Sequence, residues 1–264
     1  MSQEIKRQLL FNIYKPAGWT PLQAIERLRE VRPELQGSKI ACAGRLDPMA
    51  EGVLIVLAGE ELKKFEEYCG LDKVYEAEIL FGLKSYSEDV MGLVESHSNV
   101  RTGRDLSVQK LDNVLNELKG KVQLPVPLFS SWRVRGKPMY WWARQGRLEE
   151  IEVPVHQCSV FGCELVGSRM IGVEELRQSV MERLNVVRGD FRQEGIKRQW
   201  ELILHGRHEP FHSAKIRIHC SSGTYIRSIV QLLGERLQAG TMLFRLVRTR
   251  VGEFSLDATL RWLG

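Results

Sequence analysis

The segment Ala41-Cys42-Ala43-Gly44-Arg45-Leu46-Asp47-Pro48-Met49-Ala50-Glu51-Gly52-Val53-Leu54 places one carboxylate, Asp47, between a glycine-containing turn and a proline. Pro48 has no backbone N–H to donate and biases Asp47 toward an extended conformation. The apolar run Val53-Leu54-Ile55-Val56-Leu57 follows at once and reads as a buried strand. An acid on a stiff loop anchored by a core strand suits proton transfer or nucleophilic attack. Asp-Pro is also ordinary turn chemistry.

Other residues could act with such an acid. Lys15 opens the turn signal Lys15-Pro16-Ala17-Gly18, between a strand and a helix where side chains line sites. A solvated turn lysine is the plain alternative. Tyr75 sits on the inward face of a strand pattern, where a ring in the core is the ordinary reading. Arg227 follows Ser221-Ser222-Gly223-Thr224-Tyr225 and falls in the first turn of a helix. A cation there opposes the helix dipole, so a partner is expected, with a carboxylate as the natural candidate. From Gln123 to Gly146, Phe129, Trp132, Tyr140, Trp141 and Trp142 alternate with Arg133, Arg135, Lys137 and Arg144. Aromatic faces stack on unpaired bases and cations meet phosphates, which points to RNA. Packed tryptophans beside solvated cations would give the same pattern.

These residues must be held by regular elements. Leu9 to Tyr14 reads as a first strand, and Thr20-Pro21 opens a helix that Pro33 ends. A short amphipathic helix is predicted over 60–68. Tyr75, Ala77, Ile79 and Phe81 share one strand face. Val108 to Leu118 is a predicted helix stopped by Gly120. Val173 to Val187 has helical spacing, and a polar run then extends to Arg207. Strands are predicted from Ala214 to Cys220 and within Leu243 to Phe254. A helix from Ile226 to Leu237 lies between them, and a last short helix starts at Ala258.

Lys plus Arg total 38 against 33 Asp plus Glu, an excess that permits a polyanionic partner without demanding one. The start of the chain has no secretory pattern, and no apolar run reaches the roughly 20 residues of a membrane span. The five cysteines are scattered, so reduced thiols and a cytoplasmic location are expected. Cys158 and Cys163 lack a second ligand pair, and His205, His208 and His212 read as a polar loop, so no metal is expected.

Taken in order, five segments resemble the TruB-type tRNA pseudouridine-55 synthases. They are Lys15-Pro16-Ala17-Gly18-Trp19-Thr20, Gly44 to Leu54, Asp72-Lys73-Val74-Tyr75, Tyr140-Trp141-Trp142-Ala143-Arg144-Gln145-Gly146 and Cys220 to Arg227. The resemblance implies an α+β fold, with a mixed, mainly antiparallel sheet, flanking helices and a central RNA-binding cleft. It implies isomerisation of a uridine in RNA, most simply the T-arm uridine of tRNA, without metal or organic cofactor. Asp47 would be the catalytic aspartate, Tyr75 would stack on the target base, and Arg227 would pair with Asp47. Tyr225, Lys15 and Pro16 would line the site, and Leu246 would supply an apolar wall. A monomer is expected, with a single catalytic domain over 1–264, an insertion at about 160–212, and no C-terminal PUA-type module.

Departures from the family pattern accompany the resemblance. Ala41-Cys42 stands where Gly-His is usual, and Pro127-Leu128-Phe129-Ser130-Ser131-Trp132-Arg133 is a degraded form of Pro-Pro-x-Tyr-Ser-Ala-x-Lys. Another RNA stem-loop as substrate, or a non-catalytic tRNA-binding chaperone, are the competing readings.

Overall fold

Strand and helix periods alternate along the chain, and the computed structural model, which describes residues 9–95 and 106–261, turns them into one layered α+β unit. The elements in order are β1 (Leu10–Lys15), α1 (Pro21–Val31), β2 (Ile40–Ala43), β3 (Ala50–Ala58), α2 (Phe65–Gly70) and β4 (Lys73–Phe81). A short pair, β5 (Lys84–Ser85) and β6 (Val94–Glu95), precedes α3 (Val108–Glu117) and β7 (Gly120–Pro125). A second short pair, β8 (Arg133–Val134) and β9 (Lys137–Pro138), leads to α4 (Met139–Arg144) and β10 (Val155–Ile171). Then come α5 (Val173–Asn185), α6 (Gln193–Leu204), β11 (Phe211–Cys220), α7 (Ile226–Leu237), β12 (Thr241–Val251) and β13 (Phe254–Ser255).

Nine strands form one sheet in the order β1-β3-β12-β4-β11-β10-β7, with β2 beside β3 and β13 beside β12. All its pairings are antiparallel except β3 with β12, so the sheet is mixed and mainly antiparallel, as expected. β12 lies along the start of β3, with Leu246 opposite Ala50. β2 lies along its end, with Ala43 opposite Ile55. The loop carrying Asp47 leaves the sheet between these two neighbours.

Each sheet face is covered by helices whose apolar stripes match it. On one face Tyr75, Ala77, Ile79, Ile216, Ile218 and Leu246 pack with Leu111 and Leu115 of α3 and Ile229 and Leu233 of α7. On the other, Leu80, Met242, Phe244 and Phe211 pack with Leu176, Val180 and Leu184 of α5 and Ile196, Trp200 and Leu204 of α6. α1 covers β1 and β3 through Ala24, Ile25 and Leu28. It begins at a capping box, in which the Gln23 N–H donates to Thr20 Oγ1 at 3.3 Å and the Thr20 N–H donates to Gln23 Oε1 at 2.8 Å.

Three stretches differ from the expectations. Residues 160–171, for which the sequence shows no strand period, belong to β10, paired with β11 as far as Ile171 opposite Phe211. Register shifts at 160/162 and 165/167 interrupt the alternation that would have revealed the strand. The polar run after Val187 contains α6, whose buried stripe is only Ile196, Trp200 and Leu204. The last short helix does not form over 258–261, where Leu260 instead bridges to Ile13 of β1; residues 262–264 lie outside the described residues.

Trp200 is fully buried, and its indole N–H donates to the Val90 carbonyl at 3.3 Å. Trp200→Ala should therefore destabilise the protein by ~3–5 kcal/mol, read from the urea midpoint at constant m-value. A loss below about 1 kcal/mol would mean that α6 does not belong to the core.

Candidate active site

The site starts from the turn between β2 and β3. Gly44 takes φ +80°, a conformation that costs glycine little, and the Ala50 N–H closes the turn on the Asp47 carbonyl at 3.1 Å. Asp47 Oδ2 accepts from Arg227 Nε at 2.8 Å across 180 residues of chain. The two side chains are unequally placed, with 41% of Asp47 exposed and 4% of Arg227. Arg227 Nη1 also donates to the Ser87 carbonyl at 3.1 Å. Burial works against the guanidinium charge, yet the carboxylates of Asp47, Asp89 and Glu88 outweigh it and hold Arg227 above its already high value.

Behind the arginine lies a second acidic group. Asp89 is buried and accepts from Ser87 Oγ at 2.5 Å and from the Met91 N–H at 2.9 Å. Burial raises its carboxyl pKa, against the pull of Arg227. Glu88 adopts φ +66°, unusual outside glycine. Burial pushes its carboxyl up to about 7, with Arg227 opposing and the Asp89 and Asp47 charges assisting.

On the other side of Asp47, Lys15 is fully buried and donates to the carbonyls of Pro16 at 2.9 Å, Trp19 at 2.6 Å and Pro48 at 3.2 Å. Desolvation lowers its ammonium to about 7, while the Asp47 charge opposes the shift. Pro16 is half-buried in the same turn. Tyr75 and Leu246 are buried in one apolar cluster with Leu46, the neighbour of Asp47. Burial raises the Tyr75 hydroxyl, Arg248 opposes it, and the Asp47 charge adds to it. Tyr225 caps the start of α7, half-buried; burial and then the Asp47 charge raise its hydroxyl. The structure thus joins Asp47 directly to Arg227 and brings Lys15, Tyr75 and Tyr225 within reach of its charge.

Cys42 is half-buried on β2, and burial raises its thiol. The aromatic–cation stretch is mixed. Trp142 is buried, with its N–H on the Val134 carbonyl at 3.2 Å, whereas Trp132 and Tyr140 are exposed. Lys137 and Arg147 flank the Trp141 ring at 5.4 and 5.6 Å from its centroid. Among the described residues no group of histidines, cysteines and carboxylates could hold a metal ion. No helix there is long and apolar enough to cross a membrane.

With this geometry in view, residues 32–179 match the family described as TruB family pseudouridylate synthase (N terminal domain). The chain belongs to the TruB family. Curated relatives named tRNA pseudouridine synthase B include the Bacillus subtilis protein, 29% identical over 245 residues, which span 93% of this chain and 65% of that protein. The Trichormus variabilis protein of the same name is 30% identical over 253 residues, spanning 96% of this chain and 70% of that protein. The chain therefore spans about two thirds of the length of these relatives. Its fold is similar to a chain of a Cbf5–Nop10–Gar1 complex, with a TM-score of 0.58 at 17% identity, covering 96% of this chain and 52% of that one. A chain of an H/ACA ribonucleoprotein bound to a substrate RNA aligns with a TM-score of 0.56 at 16% identity, covering 96% and 50%. At such identities the likeness concerns the fold.

Two residues of this TruB-family site escape sequence reading. Arg248 is 1% exposed and donates to the carbonyls of Val53 at 2.8 Å, Arg45 at 3.2 Å and Gly44 at 3.1 Å, spanning both ends of the Asp47 loop. In the sequence it is one of three arginines, with Arg245 and Arg250, on a strand candidate, and nothing there sets it apart. Asp89 looks like part of a polar turn. Only the arrival of α7 in space gives it a role.

The Glu88 carboxyl titrates higher when folded than when unfolded, so the native state binds the extra proton. Its contribution to stability is complete below about pH 4.5 and is lost as pH rises through about 7. Asp89 shifts in the same direction. Glu88→Gln should flatten the fall in stability between about pH 4.5 and 7, measured by urea unfolding across that range. An unchanged slope would sink the assignment.

Proposed function

We propose that this chain is an RNA pseudouridine synthase that isomerises a uridine to pseudouridine, with the T-arm uridine of tRNA as its first target. The observation that carries the reading is the Arg227–Asp47 hydrogen bond at 2.8 Å, which aims a half-exposed carboxylate from a closed turn. Pure RNA binding has no use for a carboxylate turned toward a polyanion and held there by a buried guanidinium. The names of the relatives and the family match support the same class of reaction.

In this reading the uridine is drawn out of the folded RNA, which the apolar wall of Leu46 and Leu246 and the Tyr75 ring would receive. The bond between N1 and the sugar breaks, the base turns, and C5 bonds to the same sugar carbon. C5 gives up its proton and N1 gains one, so atoms balance without an external reactant. A carboxylate at position 47 suits attack on the sugar and the proton transfer of a glycal route alike. Tyr75 would stack on the base and stand near the C5 proton, while Tyr225 would line the pocket. Lys15 would hold the Asp47 turn through the Pro48 carbonyl, and Pro16 would shape the turn beside it. Exposed Trp132 and Tyr140, with neighbouring cations, would meet RNA outside the pocket. A cytoplasmic, monomeric protein working without a cofactor belongs to the same proposal.

One observation favours a different RNA target. Cys42 stands where the family usually has a histidine that engages the extruded strand, and this bears on which stem-loop is chosen more than on the chemistry. Incubation with unmodified tRNA followed by pseudouridine mapping separates the readings. Product in the T-arm supports the proposal, product elsewhere moves the substrate, and binding without product leaves a chaperone.

Asp47→Ala should lower turnover by at least about 10³-fold, while RNA affinity stays within a few-fold of wild type. Appreciable residual turnover would remove Asp47 from the reaction. Arg227→Ala should be nearly as damaging, since it leaves the acid unpaired, and single-turnover rates would show it. RNA affinity should fall steeply with added salt, as phosphate-dominated binding does.

A further inference from the structure

α5 and α6 carry no residue of the candidate site, yet they touch both segments between which Asp47 and Arg227 meet. On one side, the connection between the helices reaches the turn after β1. The Arg188 N–H donates to the Gly18 carbonyl at 2.8 Å, and the Gly18 N–H donates to the Pro48 carbonyl at 2.8 Å. Two main-chain hydrogen bonds thus link residue 188 to the residue that follows Asp47. The approach is close, because Gly18 has φ +85° and a Cβ there would lie 2.2 Å from the Val186 carbonyl oxygen. The Arg188 guanidinium lies 4.0 Å from the Trp19 ring centroid, and the Trp19 carbonyl accepts from Lys15.

On the other side, α6 grips the β5–β6 hairpin. The Gln199 side-chain amide accepts from the Val94 N–H at 2.8 Å and donates to the Val94 carbonyl at 2.8 Å. Trp200 adds its bond to the Val90 carbonyl. This hairpin supplies the Ser87 carbonyl that receives Arg227, and Asp89 behind it. Met49, Val90 and Val94 share one apolar cluster with Leu184, Val187 and Trp200. Both gripped segments are connections at the margin of the sheet, and such segments open more readily when a brace is removed.

We propose that the α5–α6 pair is a positioning clamp for the reacting carboxylate. It fixes the Asp47 loop through Arg188, Gly18 and Pro48, and the hairpin behind Arg227 through Gln199 and Trp200. The inference rests on the reading of Asp47 as the reacting group. A clamp of this kind acts on rate and leaves ground-state RNA affinity alone. If α5–α6 instead served as an RNA contact through Arg188, Arg192 or Arg198, affinity would change and rate at saturation would not.

The test uses the full chain with two variants. Arg188→Pro deletes the N–H that holds Gly18, and Gln199→Leu deletes the amide bonds to Val94 at nearly constant volume. Amide hydrogen exchange is followed at 16–19, 46–50 and 85–95, and single-turnover rate and dissociation constant are measured with an unmodified tRNA transcript. Arg188→Pro should speed exchange at 16–19 and 46–50, and Gln199→Leu at 85–95, with α3 unchanged. Each should slow the single-turnover step about tenfold or more, with RNA affinity within about twofold. Arg188→Ala, which keeps the N–H, should leave exchange at 16–19 as in the wild type.

Unaltered exchange in both loops overturns the inference, and so does altered exchange at a wild-type rate. Weaker RNA binding at an unchanged rate overturns it in favour of an RNA contact. Should Arg188→Pro fail to fold, Gln199→Leu decides alone. A wild type that isomerises no uridine removes the reading of Asp47, and the exchange data still decide whether α5–α6 holds the loops.

Discussion

A guanidinium removed from water is the constraint around which this fold is arranged. Arg227 is 3% exposed, and burying a charge costs several kcal/mol unless carboxylates and hydrogen bonds compensate. Asp47, Asp89 and Glu88 supply the charge, and the Ser87 carbonyl supplies a further acceptor. Because the cation is deep and Asp47 half open, the pair points the carboxylate outward. An ion pair of two equally exposed partners would be worth little and would aim nothing.

Cations that meet chiefly backbone carbonyls form the other half of the arrangement. Lys15 and Arg248 are buried with no ion pair to a carboxylate among the described residues, and their donors end on the carbonyls of the Asp47 loop and the segments beside it. Lys73, also buried, donates to the Cys69 carbonyl at 2.6 Å. These side chains do for the loop what a strand partner does for a strand, since each satisfies carbonyls that could not be left unpaired inside. The parallel pairing of β3 with β12 makes this possible by bringing Arg248 opposite Gly52. At Gly52, φ is +114° and a Cβ would meet the Arg248 carbonyl oxygen at 2.2 Å, so the two backbones can touch only because no side chain stands between them.

Asp47, Lys15 and Arg227 stand out in the sequence by local position: an acid between a glycine turn and a proline, a lysine in a turn and a cation at a helix start. Tyr75, by contrast, reads as core and enters only through the family resemblance. The α+β class and most elements were legible from clean alternation or helical spacing, as in β4 and α7. What stayed hidden has physical causes. Register shifts in β12 at 243/245 and 248/250 set which arginine turns inward, and no pattern announces such a shift. The same effect blurred β10. α6 buries only three apolar residues in twelve, too thin a stripe to stand out among charges. Asp89 has meaning only beside a residue 138 positions later, as the numbering of the two residues shows.

The separation along the chain of the groups that meet here also governs when the site can exist. Arg227 lies 180 residues after Asp47, and Arg248 lies 195, 203 and 204 residues after the three carbonyls it holds. A ribosome delivers the N-terminal part first, at roughly 5–20 residues per second. The acid therefore leaves the exit tunnel many seconds before either guanidinium that holds it or its loop. Until β12 has emerged, the carbonyls at 44 and 45 must rely on water, and a product stalled before α7 would display an unpaired aspartate. The loop and its two guanidinium partners come together only when the long strand β12 slides in beside the first half of the sheet.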